Sequence, residues 1–186
     1  MAKSINNVVT HGLKGKIGDL LVFKKQNGQT VVSKIPDRSK VVSSAAQTEV
    51  KERFKIAAKF AKNAINDAVL SEKYAAYQKN GLTLFNIAMA DFLLAPSLSM
   101  PQGTYDGQIN TLLKVRAVDK YEVSKVSLKI TDTNGDLVEE GDASMTFNGL
   151  DWEYQTSSTF ATPTGCKIQW AAYDLAGNET LLEVTN

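Results

Sequence analysis

Histidine and cysteine are almost missing from this chain: His11 and Cys166 are its only examples in 186 residues. With one histidine, in a loose glycine-bearing lead-in, a Ser-His-Asp triad or a multi-histidine metal site would need other chains. With one cysteine no intrachain disulfide can form, which fits a reducing compartment. Cys166 sits in a predicted strand beside Lys167. An ammonium there could lower a thiol pKa, but a small buried hydrophobe is the more ordinary use. Long apolar runs are absent too. No stretch approaches the ~20 apolar residues of a membrane span, so no membrane partner is expected. The start MAKSINNVV lacks the apolar run of a secretory signal; the expectation is a cytoplasmic protein, with release by a non-classical route left open. No catalytic residue, cofactor or metal ligand is assigned.

The apolar fraction, 43%, and the charged fraction, 22%, are those of a folded globular protein. Net charge is only +1, but it is unevenly spread. Residues 1–100 carry 15 Lys and Arg against 7 Asp and Glu, and residues 101–186 carry 6 against 13. Such asymmetry fits a basic module for an anionic partner, complementarity within the chain, or head-to-tail association between copies.

The stretch from Ser44 to Leu70, SAAQTEVKERFKIAAKFAKNAINDAVL, reads as one long amphipathic helix. Ser44 and Gln47 form a capping-box pattern at its start. At about 100° per residue, Val50, Phe54, Ala57, Ala58, Ala61, Ile65 and Ala68 share one arc, and Ile56 and Phe60 extend the apolar character round the far side. The remaining window holds Lys51, Lys55, Lys59 and Lys62, stacked along one edge by their spacing. A lysine stripe of this kind is ordinarily a solvated face; as a site it would bind an anion or an acidic partner. After Leu70, either Ser71 caps a second helix through Tyr74 and Tyr77 to Lys79, or the long helix continues. Asn80-Gly81 is a C-terminal stop.

Ahead of this helix, residues 1–17 read as an extended or flexible lead-in. GLKGKIG is not a phosphate loop, because Ile17 stands where Ser or Thr is needed and the glycine spacing is wrong. DLLVFKKQ, Asn27-Gly28 and QTVVSKI form a hairpin signal, since a type I′ turn requires positive φ at both turn positions. A two-residue loop pairs Lys25 with Thr30, Phe23 with Val32 and Leu21 with Lys34. Lysines 24, 25 and 34 line the hairpin, and an isolated hairpin is marginal in water, so it needs a companion surface.

Past Asn80-Gly81, LTLFNIAMADFLLA (82–95) reads as an almost wholly apolar helix, with Leu84, Ile87, Ala88, Phe92 and Leu94 available for the core and Pro96 ending it. PSLSMPQGTYDG (96–107) holds two prolines and two glycines and reads as a domain boundary. From Gly107 onward the helical period vanishes. NTLLKVRAVD, KVSLKITD, DLVEE, ASMTF, LDWEYQT, CKIQWAAYD and ETLLEVT alternate as strands, with Asn134-Gly135, Asn148-Gly149 and Ala176-Gly177-Asn178 as turns. The fold class expected is α+β: an N-terminal β-hairpin plus two or three helices, followed by an all-β immunoglobulin-like sandwich. The domains expected are a basic module over 1–98, a linker over 99–107 and the sandwich over 108–186.

TDTNGD (131–136) opens like a calcium loop at Asp132, Asn134 and Asp136. The positions that should be glycine and glutamate are Leu137 and Ala143, so an Asx-rich hairpin turn explains it better. Glu139, Glu140 and Asp142 form an acidic cluster, a solubilising edge before a cation site. Trp152 with Tyr154, and Trp170, offer either a sugar platform or core aromatics; at least one tryptophan is expected inside.

Two stretches carry resemblances. HGLKGKIGDLLVFKKQNGQTVVSKIP, SSAAQTEVKERFKIAAKFAKNAI, the pair Tyr74 and Tyr77, and GLTLFNIAMADFLLAP resemble an uncharacterised bacterial family of unknown function, which implies no site residues. SKVSLKITDTNGDLVEEGDA and WAAYDLAGNET, with its AxDxAGN hairpin, resemble bacterial immunoglobulin-like domains, which implies a spacer or adhesive module. The function expected is therefore a non-enzymatic structural or interaction protein that assembles with itself or a protein partner, as a homo-oligomer or a complex. Its candidate anion- or partner-binding residues are Lys24, Lys25, Lys34, Lys51, Lys55, Lys59 and Lys62. The alternative is non-specific nucleic-acid binding by Lys14, Lys16 and the same lysines, with only Arg38 and Arg53 in this half to read bases. A third is carbohydrate binding by the sandwich aromatics.

Overall fold

The computed structural model describes residues 2–4, 9–10, 12–26, 29–35, 37, 42–79 and 81–186. The Asn27-Gly28 turn, His11, Arg38 and Asn80 lie outside them. The described residues hold twelve strands and three helices, and the strand pairings are antiparallel, an α+β chain with an N-terminal hairpin. It divides into two compact units, Met1–Ala45 and Ala46–Asn186.

In the first unit, β3 (Leu21–Gln26) and β4 (Gln29–Lys34) pair in the register expected, Lys25 with Thr30, Phe23 with Val32 and Leu21 with Lys34. The loose lead-in, however, is structured in part. β1 (Ala2–Ser4) pairs with β4 and β2 (Gly15–Ile17) with β3, giving the order β1-β4-β3-β2. The reason is that both edges of a two-stranded hairpin present unpaired amides and carbonyls, which neighbouring chain satisfies. Gly12, Gly15 and Gly18, all at positive φ, let the chain double back to do so.

In the second unit the long helix is shorter than expected. α1 covers Ala45–Ala64 and α2 covers Ala68–Ala75. Asn66 and Asp67 break it: the Asn66 carboxamide donates to the carbonyl of Lys62, and Asp67 Oδ1 accepts from the amides of Val69 and Leu70. Short polar side chains compete with the helical ladder in this way and favour caps. Asp67, not Ser71, is thus the N-cap of α2; Ser71 lies inside the helix and donates to Ala68 O. α3 (Leu84–Leu93) is capped by Thr83, whose hydroxyl accepts from Asn86 N. Ala61, Ala64, Tyr74, Ile87 and Ala88 form the buried helical core, with Phe60, Leu70, Tyr121 and Leu175 packed at its margin. Ile87 and Ala88 are buried as expected, whereas Leu94 is exposed.

The span 99–107, expected as a linker, begins inside β5 (Ser97–Gln102), which pairs with β6 (Leu112–Val118). No division of the chain falls there, because this strand belongs to a sheet of the same unit. That sheet has the order β5-β6-β10-β9, with β9 at Ser144–Met145 and β10 at Asp151–Gln155. The other sheet runs β12-β11-β7-β8, from β7 (Val123–Thr131), β8 (Leu137–Asp142), β11 (Lys167–Asp174) and β12 (Glu179–Thr185). Alternate residues of both sheets fill one core: Leu113, Val115 and Ala117, Val126, Leu128 and Ile130, Trp152 and Tyr154, Ile168, Trp170 and Ala172. Period-2 alternation turns one face of each strand inward, and here those faces meet.

Candidate functional site

The seven lysines of the sequence reading are all exposed. Lys24 and Lys25 lie on β3 and Lys34 on β4, in the first unit; Lys51, Lys55, Lys59 and Lys62 lie together on α1, in the second. The broad apolar arc of α1 is used unevenly. Ala57, Ala61 and Ala64 are buried, and Phe60 stacks on Phe92 with ring centroids 5.2 Å apart. Every residue from 45 to 56 is exposed, including Val50 (66%), Phe54 (51%) and Ile56 (56%). Arg53 reaches across to donate to Leu93 O at 2.8 Å.

The aromatic platform is not formed. Trp152, Tyr154 and Trp170 are buried in the sheet core, because β10 and β11 turn their apolar alternate positions inward. Cys166 is buried as well, and burial raises its thiol pKa. In the TDTNGD turn, Asp132 Oδ1 accepts from the amides of Asn134 and Asp136, both at 2.8 Å. These are backbone-closing bonds of an Asx turn, as expected. Glu139 is not a solubilising edge residue. It is buried and accepts from Ser157 N, Ser157 Oγ, Ser158 Oγ and Tyr154 Oη at 2.6 to 2.9 Å. Burial pushes its pKa up, but these donors outweigh it and hold the carboxyl below its ordinary value.

The arrangement that the sequence reading missed is made of aspartates. Asp91 on α3, Asp119 just past β6 and Asp174 at the end of β11 each bring one carboxylate oxygen to a place where all three lie within 4.8 Å of one another. Asp91 and Asp174 are buried and Asp119 is half-buried. Tyr74 donates its hydroxyl to Asp91 Oδ2 at 2.7 Å. Asp91 Oδ1 is buried and has no hydrogen-bond partner. Asp119 Oδ1 accepts from Tyr121 N at 2.7 Å. Asn178, in the Ala176-Gly177-Asn178 turn, donates its amide to Asp174 Oδ1 at 2.8 Å. Its carboxamide donates to Asp174 Oδ2 at 2.7 Å and to Asp91 O at 3.1 Å, tying the hairpin to α3.

Electrostatics follow from this crowding. Burial, with the charges of Asp174 and Asp119 adding to it and the Tyr74 hydrogen bond opposing it, pushes the Asp91 carboxyl up to about 7. Burial also raises Asp174, against the donors of Asn178. Tyr74, buried and bonded to a carboxylate, is held above its ordinary pKa and stays a donor. The sequence did hold a signal. Asp91 is the one charged residue in LTLFNIAMADFLLA, and a lone acid in an apolar helix has a specific task or partner.

No protein-family model matches the chain, and no curated protein matches it. Among solved structures, the crystal structure of CopC from Methylosinus trichosporium OB3b is similar with a TM-score of 0.36 and 18% identity, over 48% of this chain and 89% of that one. At that distance the likeness does not bear on the aspartates or the lysines.

Proposed function

We propose that this chain is a non-enzymatic structural protein that assembles with further copies of itself, its two-sheet part being an immunoglobulin-like sandwich of the bacterial kind. The exposed first three turns of α1 carry this reading. A helix of about 12 residues is marginal in water without tertiary packing, and Val50, Phe54 and Ile56 there gain stability only if something covers them. The charge distribution favours a second copy as the cover. Apolar residues beside Lys51, Lys55 and Lys59 suit a surface that is both apolar and acidic, and the C-terminal half, with 13 acids against 6 bases, offers one. It exposes Leu137, Met145 and a fully exposed Phe147 near Glu140 and Asp142 along the chain. Contact between two different patches is head-to-tail and closes into a ring or extends into a filament.

Light scattering of the full chain across concentration tests this. Association that strengthens with concentration, weakens in high salt and is abolished in a Val50→Asp, Phe54→Asp double variant is the expected result. A strict monomer at every concentration overturns it. The nucleic-acid alternative uses the same exposed lysines without the apolar residues. It would show as retention on a phosphate matrix that an uncharged Val50→Ser, Phe54→Ser variant leaves unchanged.

A further inference from the structure

We infer that Asp91, Asp119 and Asp174 form a binding site for a hard divalent cation of the size of calcium. Three side chains from three separate elements converge on one point, and two of them are buried. Hydrogen bonds account for Asp91 Oδ2, through Tyr74, and for both oxygens of Asp174, through Asn178. Asp91 Oδ1 makes no hydrogen bond in a side chain that is 0% exposed, with the Ala176 amide the one backbone donor near enough to favour the Asp91 carboxylate. Buried polar atoms are almost always satisfied by protein, water or an ion. A water could satisfy Oδ1, but it would leave the ionised members of the cluster without a countercharge; a cation, in displacing the Asp91 proton, answers the missing partner and the negative charge together.

The donor chemistry selects the ion. The three oxygens lie within 4.8 Å of one another, inside the ~5 Å that two oxygens bonded to one calcium at ~2.3–2.6 Å can span. Magnesium demands near-ideal octahedral geometry at ~2.0–2.1 Å and sheds its waters reluctantly, which suits a partly buried set of three carboxylates less well than the flexible shell of calcium. An all-oxygen set without histidine or cysteine excludes a preference for softer metals. The residues lie on α3, on the loop after β6 and at the β11–β12 hairpin, beside Tyr121 and Leu175 of the helical core margin. A bound ion would therefore cross-link the helices to the sheets within the second unit. This inference does not depend on self-assembly.

The experiment uses the full chain, stripped with a chelator. Calcium is expected to raise its melting temperature, magnesium to do so less at equal concentration. Terbium, a calcium-sized luminescent probe, is expected to bind with tyrosine-sensitised emission that calcium displaces, since Tyr74 touches a ligand. Losing a residue that only orients a metal ligand commonly weakens a metal site ~10–100-fold, so Asp91→Asn and Asp119→Asn, which alter ligands themselves, should each weaken calcium binding at least ~10-fold. Asp132→Asn, in the Asx turn, should leave it unchanged. Asp119 is half-buried and at a loop, so its variant tests the site without changing a fully buried side chain. No melting shift and no terbium emission in the wild-type chain overturns the inference. So does a calcium response that survives in Asp119→Asn.

Discussion

Replacing Asp91 by asparagine should stabilise the chelated protein, and by an amount set by pH. The side chain is fully buried, and its carboxyl rises from 3.8 to about 7 because burial and two acidic neighbours penalise its charge. Between those values the folded chain holds a proton that the unfolded chain has released. Stability is therefore present in full below about pH 4 and falls as pH rises towards 7. At ~1.4 kcal/mol for each factor of ten, ionised Asp91 costs the fold on the order of 4 kcal/mol near pH 8. Asparagine has the same shape and cannot ionise; its oxygen can still accept from Tyr74, and its amide can donate towards Asp119 or Asp174. The gain from Asp91→Asn should thus be about 4 kcal/mol near pH 8, about 2 near pH 5 and below about 1 near pH 4. Urea unfolding of both proteins in chelator at these three pH values measures it, with equal m-values confirming comparable transitions. A variant that is less stable at pH 8, or a difference that does not shrink in acid, would refute the electrostatic account of this cluster.

Two further outcomes test other parts of the second unit. Glu139→Gln should destabilise by about 2–3 kcal/mol, because four donors lose a charged acceptor in a buried site. Its pKa is lowered by folding, so its contribution is present above the ordinary glutamate value and lost as pH falls through the folded one; chemical denaturation from pH 7 to pH 3 should show the variant losing less than the wild type. Gly141→Ala should cost about 1–3 kcal/mol, since a Cβ there would stand 2.7 Å from the Tyr154 ring; calorimetry should show a lower melting temperature, and an unchanged one would mean that the ring shifts freely.

The elements were legible where period and turn chemistry agree. The seven strand segments past residue 107 correspond to β6 through β12, and the register of β3 with β4 followed from a two-residue turn. Legibility failed where local signals compete. In the Asn66-Asp67 pair, a helix-compatible apolar period met two side chains that bond their own backbone, and the cap won. β1 and β2 were missed because each has three residues and is defined by the edge it pairs with, and β5 because Pro96, Pro101 and Gly103 around it read as a boundary. Glu139 looked like part of an exposed acidic run; only the approach of Ser157, Ser158 and Tyr154 makes it a buried acceptor.

Sequence by itself determined the strand alternation, that at least one tryptophan turns inward, the Asx turn at Asp132 and the exposed lysine edge of α1. These depend on neighbours within a few residues, through pleat, helical period and side-chain hydrogen bonds to nearby backbone. Tertiary structure alone decided that Asp91, Asp119 and Asp174 meet, since 28 and 55 positions separate them in turn and no local rule links them. It also decided that α1 is buried along one face at its C-terminal end and exposed at its N-terminal end. Periodicity specifies which face of a helix is apolar, but the length of that face that is covered depends on where the other elements end.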